Sequence, residues 1–257
     1  MHNQIFWLAS YPKSGNTLLR SIIISLFFTE EGLFSLDQSL KITQFEKTVH
    51  LKRNKDIFKS DFNNIQDISV FSKYWIALQQ KRALSFNQDF IFLKTHSGAL
   101  SVNNQNFTSE KNVRGIIYII RDPRDVCISW SKHSDLSIQD TIDFMVNEYA
   151  TLEWQEPRLS ENIFNNYNRP SALLSSWEKH VISWTSIKWK IPKIIIKFED
   201  LVYNKKKVIE NLIVFFEKNY NFKFNNKDIK IKNIIKTTDF DKLKKEEQEK
   251  GFIEAPI

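Results

Sequence analysis

The sequence predicts an α/β protein built on one open, mostly parallel β-sheet with helices on its faces. Four short runs of β-branched and aromatic residues have the length of buried strands, and they lie at Ile5–Ala9, Phe90–Leu93, Gly115–Ile120 and Lys193–Phe198. Longer segments with helical patterning separate these runs. Strands that alternate with helices form βαβ units, in which the strands are parallel and the helices cover the sheet.

Six segments between and after the strands have the hydrophobic spacing of helices. They are Thr17–Phe28, Ser72–Phe86, Pro123–Lys132, Ile138–Trp154, Ala172–Trp189 and Lys205–Tyr220. A chain of 257 residues can bury one sizeable core, and no internal repeat or linker divides it. Residues 1–257 are therefore expected to form a single domain.

The charge balance is basic and indicates an anionic ligand without identifying it. The formal net charge is +7, and lysines are concentrated in the C-terminal third of the chain. This distribution is equally typical of a solvated face, of nucleic-acid binding and of binding to acidic membranes. Because the sequence contains no recognisable nucleic-acid-binding module, we expect no nucleic-acid partner. The oligomeric state stays open.

Cysteine use and hydropathy bear on where the protein acts. Cys127 is the only cysteine, which excludes an intrachain disulfide and a CxxC metal site and is typical of a reducing compartment. The first predicted strand begins within a few residues of Met1, without the charged and apolar regions of a signal peptide. The longest apolar run, Ile22–Phe28, is far shorter than the roughly 20 residues that span a bilayer. We therefore expect a cytoplasmic protein without a membrane span.

The most specific local feature is the segment Tyr11–Thr17, here called the Lys13 loop, which joins the first predicted strand to the first predicted helix. A helix N-terminus attracts anions through its unpaired backbone N–H groups and its positive dipole end. Lys13 adds a full charge, and Ser14 and Thr17 add hydroxyl donors. The loop predicts a phosphate cradle, although a strand-to-helix turn with a solvated lysine and a capping Asn16 or Thr17 has the same sequence. The Walker pattern G-x-x-x-x-G-K-[ST] is absent, which disfavours a nucleoside triphosphatase.

Polar side chains follow each of the four predicted strands. In chain order they are Lys13, the pair Lys94 and His96, Arg121, and Glu199. In an open α/β sheet, ligands bind outside the carboxyl ends of the strands. Residues that lie far apart in sequence are therefore expected to converge on one edge of the sheet.

Two of these groups indicate specific chemistry. His96 lies at a strand end two residues after a lysine, and a histidine in such a place can act as a general base near neutral pH. Arg121 can bind a second phosphate in bidentate geometry, together with Ser129 of the following helix. A structural ion pair between Arg121 and Asp125, beside a helix capped by Asp122, fits the same residues equally well.

Taken in order, these motifs resemble those of the sulfotransferases that use 3'-phosphoadenosine 5'-phosphosulfate (PAPS) as donor. The Lys13 loop resembles the family's 5'-phosphosulfate loop Y-P-K-S-G-T-T, and Leu93–His96 resembles its catalytic K-T-H. Tyr118–Val126 with Ser129 resembles the 3'-phosphate motif R-N/D-P-x-D-V-x-x-S, and Phe198–Leu201 resembles Y-E-D-L. The matches extend over nearly the whole chain.

The resemblance implies a P-loop NTPase-like fold, PAPS as co-substrate, a small-molecule acceptor with a hydroxyl or amine, and no metal. It implies that His96 takes the acceptor's proton, that Lys13 steadies the leaving oxygen and that Lys94 stabilises the sulfuryl oxygens. It also implies that ten residues bind the donor, namely Lys13, Ser14, Gly15, Asn16, Thr17, Arg121, Ser129, Phe198, Thr238 and Phe240. Of these, Arg121 and Ser129 are expected at the 3'-phosphate, and the last three at the adenine and ribose.

The C-terminal end departs from the family pattern, in which an R-K-G segment followed by G-x-W completes the nucleotide site. Aligning Lys250-Gly251 with that segment puts Glu249 where an arginine is usual, and no G-x-W follows. We therefore expect the true motif to lie beyond Ile257, so that the chain is short at its C-terminus. The alternative to an active sulfotransferase is a nucleotide-binding, catalytically weak relative. A small-molecule kinase is disfavoured because the Walker pattern and a clear Mg²⁺-binding set are absent.

Overall fold

The computed structural model describes residues 4–84, 89–153, 171–239, 242–243 and 245, and its centre is a five-stranded parallel sheet. The strands in chain order are β1 (Ile5–Ser10), β2 (Thr43–Gln44), β3 (Ile91–Thr95), β4 (Ser101–Val102), β5 (Gln105–Asn106), β6 (Val113–Ile120), β7 (Thr151–Glu153), β8 (Ser171–Leu173) and β9 (Lys193–Lys197). The sheet has the order β2-β3-β1-β6-β9, and each neighbouring pair is parallel. The strands β4 and β5, and likewise β7 and β8, form separate antiparallel pairs. The predicted parallel α/β sheet is confirmed.

Helices occupy both faces of this sheet. They are α1 (Asn16–Phe28), α2 (Thr48–Arg53), α3 (Lys55–Phe58), α4 (Ile68–Phe71), α5 (Trp75–Leu78), α6 (Lys81–Leu84), α7 (Pro123–Ser134), α8 (Ile138–Val146), α9 (Trp177–Thr185), α10 (Phe198–Tyr203), α11 (Lys205–Tyr220) and α12 (Lys227–Thr237). Short 3-10 turns at Leu36–Lys41, Lys59–Asn64 and Ser72–Tyr74 connect some of them. Within the described ranges, no helix has the length and apolar character needed to cross a membrane.

Strand β1 is buried on both faces because it lies in the middle of the sheet. Successive side chains of a strand point to opposite faces. Phe6 and Leu8 accordingly pack with α1, α11 and α12, whereas Ile5, Trp7 and Ala9 pack with the shorter helices and with α9 on the other face. Burial on both faces explains why the first predicted strand is a continuous apolar run and does not alternate with polar residues.

Two predicted helices are present but have wrong bounds at the segment between α8 and α9. The helix predicted at Ile138–Trp154 ends at Val146, because Asn147 turns to an extended conformation and β7 follows; Trp154 lies outside the described residues. The helix predicted from Ala172 begins instead at Trp177, because residues 171–173 pair with β7 as β8. Ser175 has a φ of +60°, and the Ser176 side chain accepts from the Lys179 N–H and caps α9.

The structure differs from the predicted helices at two further places and agrees with them at a third. The segment predicted as one helix at Ser72–Phe86 is a 3-10 turn followed by α5 and α6, and Phe86 lies outside the described residues. Helix α12 was not predicted, since its lysines obscure an apolar side formed by Ile231 and Ile234. The helix at Lys205–Tyr220 is confirmed at both ends.

Gly115 of β6 lies directly against Tyr220, the last residue of α11. A Cβ atom at Gly115 would lie 2.5 Å from Tyr220 Oη and 2.8 Å from two ring carbons of Phe6. Tyr220 Oη donates to the Arg114 carbonyl at 2.8 Å, so the ring cannot move away without losing that bond. Only a glycine fits beneath this tyrosine.

We expect Gly115→Ala to lower the free energy of unfolding by about 1–3 kcal/mol, because the added methyl forces the tyrosine or the strand to shift. Urea denaturation measures the change. Gly98→Ala is the matched control, since its new Cβ would meet the movable side chain of Leu100. An unchanged stability in Gly115→Ala would show that the helix does not approach the strand so closely.

His180 of α9 is a fully buried histidine that joins β6 to the end of β3. Tyr118 Oη donates to His180 Nδ1 at 2.9 Å, and His180 Nε2 donates to the His96 carbonyl at 3.0 Å. A carbonyl can only accept, so Nε2 carries the proton of a neutral ring. Burial lowers the pKa of His180 to about 4.

This depressed pKa predicts a loss of stability in mild acid. Below pH 6.5 the unfolded chain binds a proton at His180 that the folded chain does not bind, so the free energy of unfolding falls as the pH falls toward 4. His180 alone should lower the free energy of unfolding by about 2 kcal/mol between pH 7 and pH 5. Urea denaturation at pH 7 and at pH 5 gives the free energy of unfolding at each pH. The difference between the two values should be smaller for His180→Gln than for the unchanged protein. If the variant and the unchanged protein lost equal stability between the two pH values, the buried neutral ring would be contradicted. Burial also lowers the pKa of His50 to about 4, but His50 is present in both proteins and contributes equally to both.

Candidate functional site

The predicted site residues lie at the carboxyl ends of four neighbouring strands. The Lys13 loop follows β1, His96 follows β3, Arg121 follows β6, and Phe198 follows β9. Because these strands are parallel and adjacent, their ends meet at one edge of the sheet. This edge is the candidate site.

The backbone of the Lys13 loop is left-handed at two residues, a conformation that residues with a side chain rarely adopt. Lys13 has a φ of +63° and Gly15 has a φ of +91° directly before α1. A Cβ at Gly15 would lie 2.4 Å from Cδ2 of Phe198, so only glycine permits this approach. Ser14 is 1% exposed, and its Oγ has no hydrogen-bond partner among the described residues. A buried hydroxyl without a partner costs free energy, and a bound anion would satisfy it.

The side chain of Asn16 faces into the protein at the base of this loop. Its Nδ2 donates to the Leu8 carbonyl at 3.0 Å and to Ser10 Oγ at 3.1 Å, and the residue is buried. Among the described residues, the helical hydrogen bonds of α1 begin with the N–H of Leu19, which donates to the carbonyl of the preceding Gly15 at 3.1 Å. The backbone N–H groups before it are the donors that a helix N-terminus offers to an anion.

Arg121 braces the loop from the end of β6. Its Nη1 donates to the Lys13 carbonyl at 2.9 Å, and its guanidinium carbon lies 4.3 Å from the centre of the Phe198 ring. Its Nε is buried and has no partner in the described part of the chain. The guanidinium therefore holds the strained Lys13 backbone and stacks on the ring above Gly15.

The helix after Arg121 is capped as the sequence predicts. The Asp122 carboxylate accepts from the Arg124 N–H at 2.9 Å, and Pro123 is the first helical residue. Asp122 also forms an ion pair with the Arg124 side chain, with Nε 2.9 Å from Oδ1. Asp125 is exposed, and Arg121 bonds to the Lys13 carbonyl instead of forming the alternative ion pair.

His96 is joined directly to the start of the Lys13 loop. Its Nδ1 lies 2.8 Å from the carbonyl oxygen of Ser10, the last residue of β1. Because the carbonyl can only accept, Nδ1 donates, and in the neutral ring Nε2 is the basic nitrogen. His96 and Lys94 are 7% and 5% exposed, and Lys94 is in register with Leu8 of β1. A candidate base and a candidate anion cradle are thus fixed to the same strand end.

The remaining predicted residues are less closely associated with this edge. Ser129 is half-buried on α7. Thr238 is fully buried at the end of α12, where its Oγ1 donates to the Ile234 carbonyl at 2.7 Å. Phe240 lies outside the described residues. In the described part of the chain, no cluster of three or more His, Cys, Asp or Glu side chains is arranged to hold a metal ion.

Two further residues contact the site, and no motif in the sequence marks them. Ser10 acts through its backbone carbonyl, which no side-chain motif can reveal. Glu46, which follows β2, has a carboxyl group that accepts from Thr95 and Ser97 on either side of His96. Its segment matches no motif, and its burial becomes evident only when β2 is placed beside β3.

Several sulfotransferases are similar to this chain in sequence. The luciferin sulfotransferase of Photinus pyralis is 24% identical over 245 residues, which cover 92% of this chain and 56% of that protein. Sulfotransferase 1B1 of Canis lupus familiaris is 26% identical over 242 residues, which cover 92% of this chain and 65% of that protein. The chain thus spans between half and two thirds of the length of these relatives.

Solved structures share the fold. A mouse sulfotransferase, SULT7A1, complexed with PAP aligns with a TM-score of 0.55 at 18% identity, covering 95% of this chain and 66% of that one. A retinol dehydratase in complex with androsterone and inactive cofactor PAP aligns with a TM-score of 0.55 at 16% identity, covering 98% and 70%. These alignments confirm the predicted P-loop-like α/β fold.

A family model described as the sulfotransferase domain matches residues 3–252. The match includes β1, the Lys13 loop and the ends of β3, β6 and β9, so it contains the whole candidate site. The chain therefore belongs to the sulfotransferase domain family.

Proposed function

We propose that this protein transfers the sulfuryl group of PAPS to a hydroxyl or amine of a small-molecule acceptor. The observation that carries the proposal is the hydrogen bond from His96 Nδ1 to the Ser10 carbonyl. It leaves Nε2 as the basic nitrogen at the strand end from which the Lys13 loop begins. Membership of the sulfotransferase family supports the assignment of a sulfuryl donor.

The donor is proposed to bind across the ends of β1 and β6. The 5'-phosphosulfate would lie on the Lys13 loop, where Ser14 Oγ and the first N–H groups of α1 are donors. The 3'-phosphate would lie at Arg121, whose buried Nε has no partner in the described chain, with Ser129 nearby on α7. Phe198 would contact the adenine, and the weaker assignments of Thr238 and Phe240 to this region stay predictions.

In this proposal, His96 Nε2 takes the proton of the acceptor as the acceptor's oxygen or nitrogen forms a bond to sulfur. The bond between sulfur and the bridging oxygen of the 5'-phosphate breaks in line, and its electron pair stays on that phosphate, giving adenosine 3',5'-bisphosphate. Lys13 stabilises the leaving oxygen, and Lys94 stabilises the sulfuryl oxygens. The chain thus contributes positioning, one proton acceptor and positive charge.

Arg121 tests the donor site. We expect Arg121→Ala to lower the affinity for adenosine 3',5'-bisphosphate by about 10–100-fold, because a charged hydrogen bond is lost. The same variant should lose less affinity for adenosine 5'-monophosphate, which lacks the 3'-phosphate. That fold loss should be about one tenth of the loss for the bisphosphate. Isothermal calorimetry measures both, and Arg124→Ala is the matched control on the exposed side of α7. Equal losses for the two nucleotides would remove Arg121 from the 3'-phosphate.

His96 tests the chemistry. We expect His96→Gln to lower kcat by about 10²–10⁴-fold, because a general base is lost, while the affinity for the bisphosphate stays within about threefold. Lys13→Ala should lower both quantities, and the exposed Lys206→Ala should change neither. Sulfuryl transfer from PAPS with a panel of phenols, alcohols and amines gives kcat.

The outcomes separate the candidate functions. Full activity in both Lys13→Ala and His96→Gln would overturn the site. Bisphosphate binding without any turnover in the unchanged protein would identify the catalytically weak, nucleotide-binding relative. If the protein bound ATP with Mg²⁺ but did not bind the bisphosphate, both the sulfotransferase and the catalytically weak relative would be contradicted.

A further inference from the structure

Glu46 is a fully buried glutamate beside the candidate base. It is 0% exposed, and its Oε1 accepts hydrogen bonds from Thr95 Oγ1 and from Ser97 Oγ, each at 2.8 Å. The Ser97 N–H in turn donates to Thr95 Oγ1 at 3.0 Å. One carboxyl oxygen therefore ties together the two residues that flank His96.

The register of β2 places this carboxyl group. Gln44 pairs with Lys94, and the Phe45 N–H donates to the Lys94 carbonyl at 2.9 Å, so the chain continues alongside β3 beyond the last strand residue. Burial raises the pKa of Glu46, and the two hydroxyl donors oppose that shift. An apolar side chain would avoid the cost of burying a carboxyl. A buried carboxyl at this position is therefore explained by the geometry that it imposes on residues 95–97.

His96 is restrained at two other points by different elements. The Ser10 carbonyl accepts from Nδ1 of the His96 ring, and His180 Nε2 donates to the backbone carbonyl of His96. The backbones of its two neighbours are held as well, since Thr95 is in register with Ala9 of β1 and the Ser97 carbonyl accepts from Trp184 Nε1 at 3.0 Å. The bonds from Thr95 and Ser97 to Glu46 add a restraint on their side chains from the opposite side, at the β2 edge. The backbone of residues 95–97 is thus held on both sides.

We propose that Glu46 is a positioning residue, whose bridge between Thr95 and Ser97 sets the direction in which His96 and Lys94 reach the transferring group. This inference rests on the proposed function. Glu46 lies at the β2 edge of the sheet, whereas Arg121 follows β6 on the other side of β1. Loss of the bridge should therefore affect turnover and leave donor binding unchanged.

Turnover of two Glu46 variants tests the bridge. Glu46→Ala is expected to lower kcat by about 10–100-fold, because misplacement of a base by about 1 Å costs on that order, while bisphosphate affinity stays within about threefold. Glu46→Gln retains an oxygen that accepts from both hydroxyls and should keep kcat within about fivefold of the unchanged protein. A kcat within about twofold in folded Glu46→Ala, or an equal loss of bisphosphate affinity, would overturn the proposal.

Gln79 provides the matched control. It is equally buried, its Oε1 accepts from Thr108 Oγ1 at 2.7 Å, and its Nε2 donates to the Phe107 carbonyl. It lies near the amino end of β1, where Gln4 donates to its carbonyl. Gln79→Ala should lower stability but leave kcat unchanged, so an effect on kcat that equals that of Glu46→Ala would assign both residues a merely structural role.

A spectroscopic measurement separates this inference from the proposed function. Long-range ¹⁵N–¹H NMR of the imidazoles should show His96 protonated at Nδ1 in the unchanged protein, and a mixture of tautomers in Glu46→Ala but not in Gln79→Ala. This signal does not need turnover, so it supports the positioning role even if no sulfuryl transfer is found. An unchanged His96 signal in Glu46→Ala would overturn it. Should Glu46→Ala not fold, Ser97→Ala removes one donor and should lower kcat by about threefold to tenfold; an unchanged kcat would then overturn the bridge.

Discussion

Strand β1 lies between β3 and β6, with Leu8 in register with Lys94 on one side and with Ile117 on the other. This parallel register decides where each strand ends, and the ends carry the polar groups. Ser10, the last residue of β1, holds the His96 ring with its carbonyl and the Asn16 amide with its hydroxyl. Small shifts of β1 would therefore move the base and the Lys13 loop together.

Electrostatics and backbone shape cooperate in the loop. The left-handed conformation of Lys13 costs free energy in a residue with a side chain, and the hydrogen bond from Arg121 to its carbonyl offsets part of that cost. Phe198 stacks on the same guanidinium and lies against Gly15, where no side chain fits. Two residues that are distant in sequence, Arg121 and Phe198, thus fix one short segment, and the arrangement presents N–H groups and positive charge to an anion.

The sequence predicted the sheet well because its strands are short apolar runs that end in polar residues. Position along the chain was enough to bring His96 and Arg121 to one edge, since parallel strands leave few alternatives. Local rules were less successful between α8 and α9, where strand pairing and a left-handed Ser175 override helical spacing. Contacts made by backbone atoms, such as the Ser10 carbonyl, and by isolated buried groups, such as Glu46, depend on tertiary packing and have no sequence signature.

We propose that the Lys13 loop, His96 and Arg121 form one site for an adenosine bisphosphate. A crystal structure of the complex with adenosine 3',5'-bisphosphate is the decisive measurement. We expect the 5'-phosphate on the Lys13 loop, within hydrogen-bonding distance of Ser14 Oγ, and the 3'-phosphate in contact with Arg121. His96 Nδ1 should stay bonded to the Ser10 carbonyl. A nucleotide bound away from the carboxyl ends of β1 and β6, or a His96 ring turned from Ser10, would contradict it.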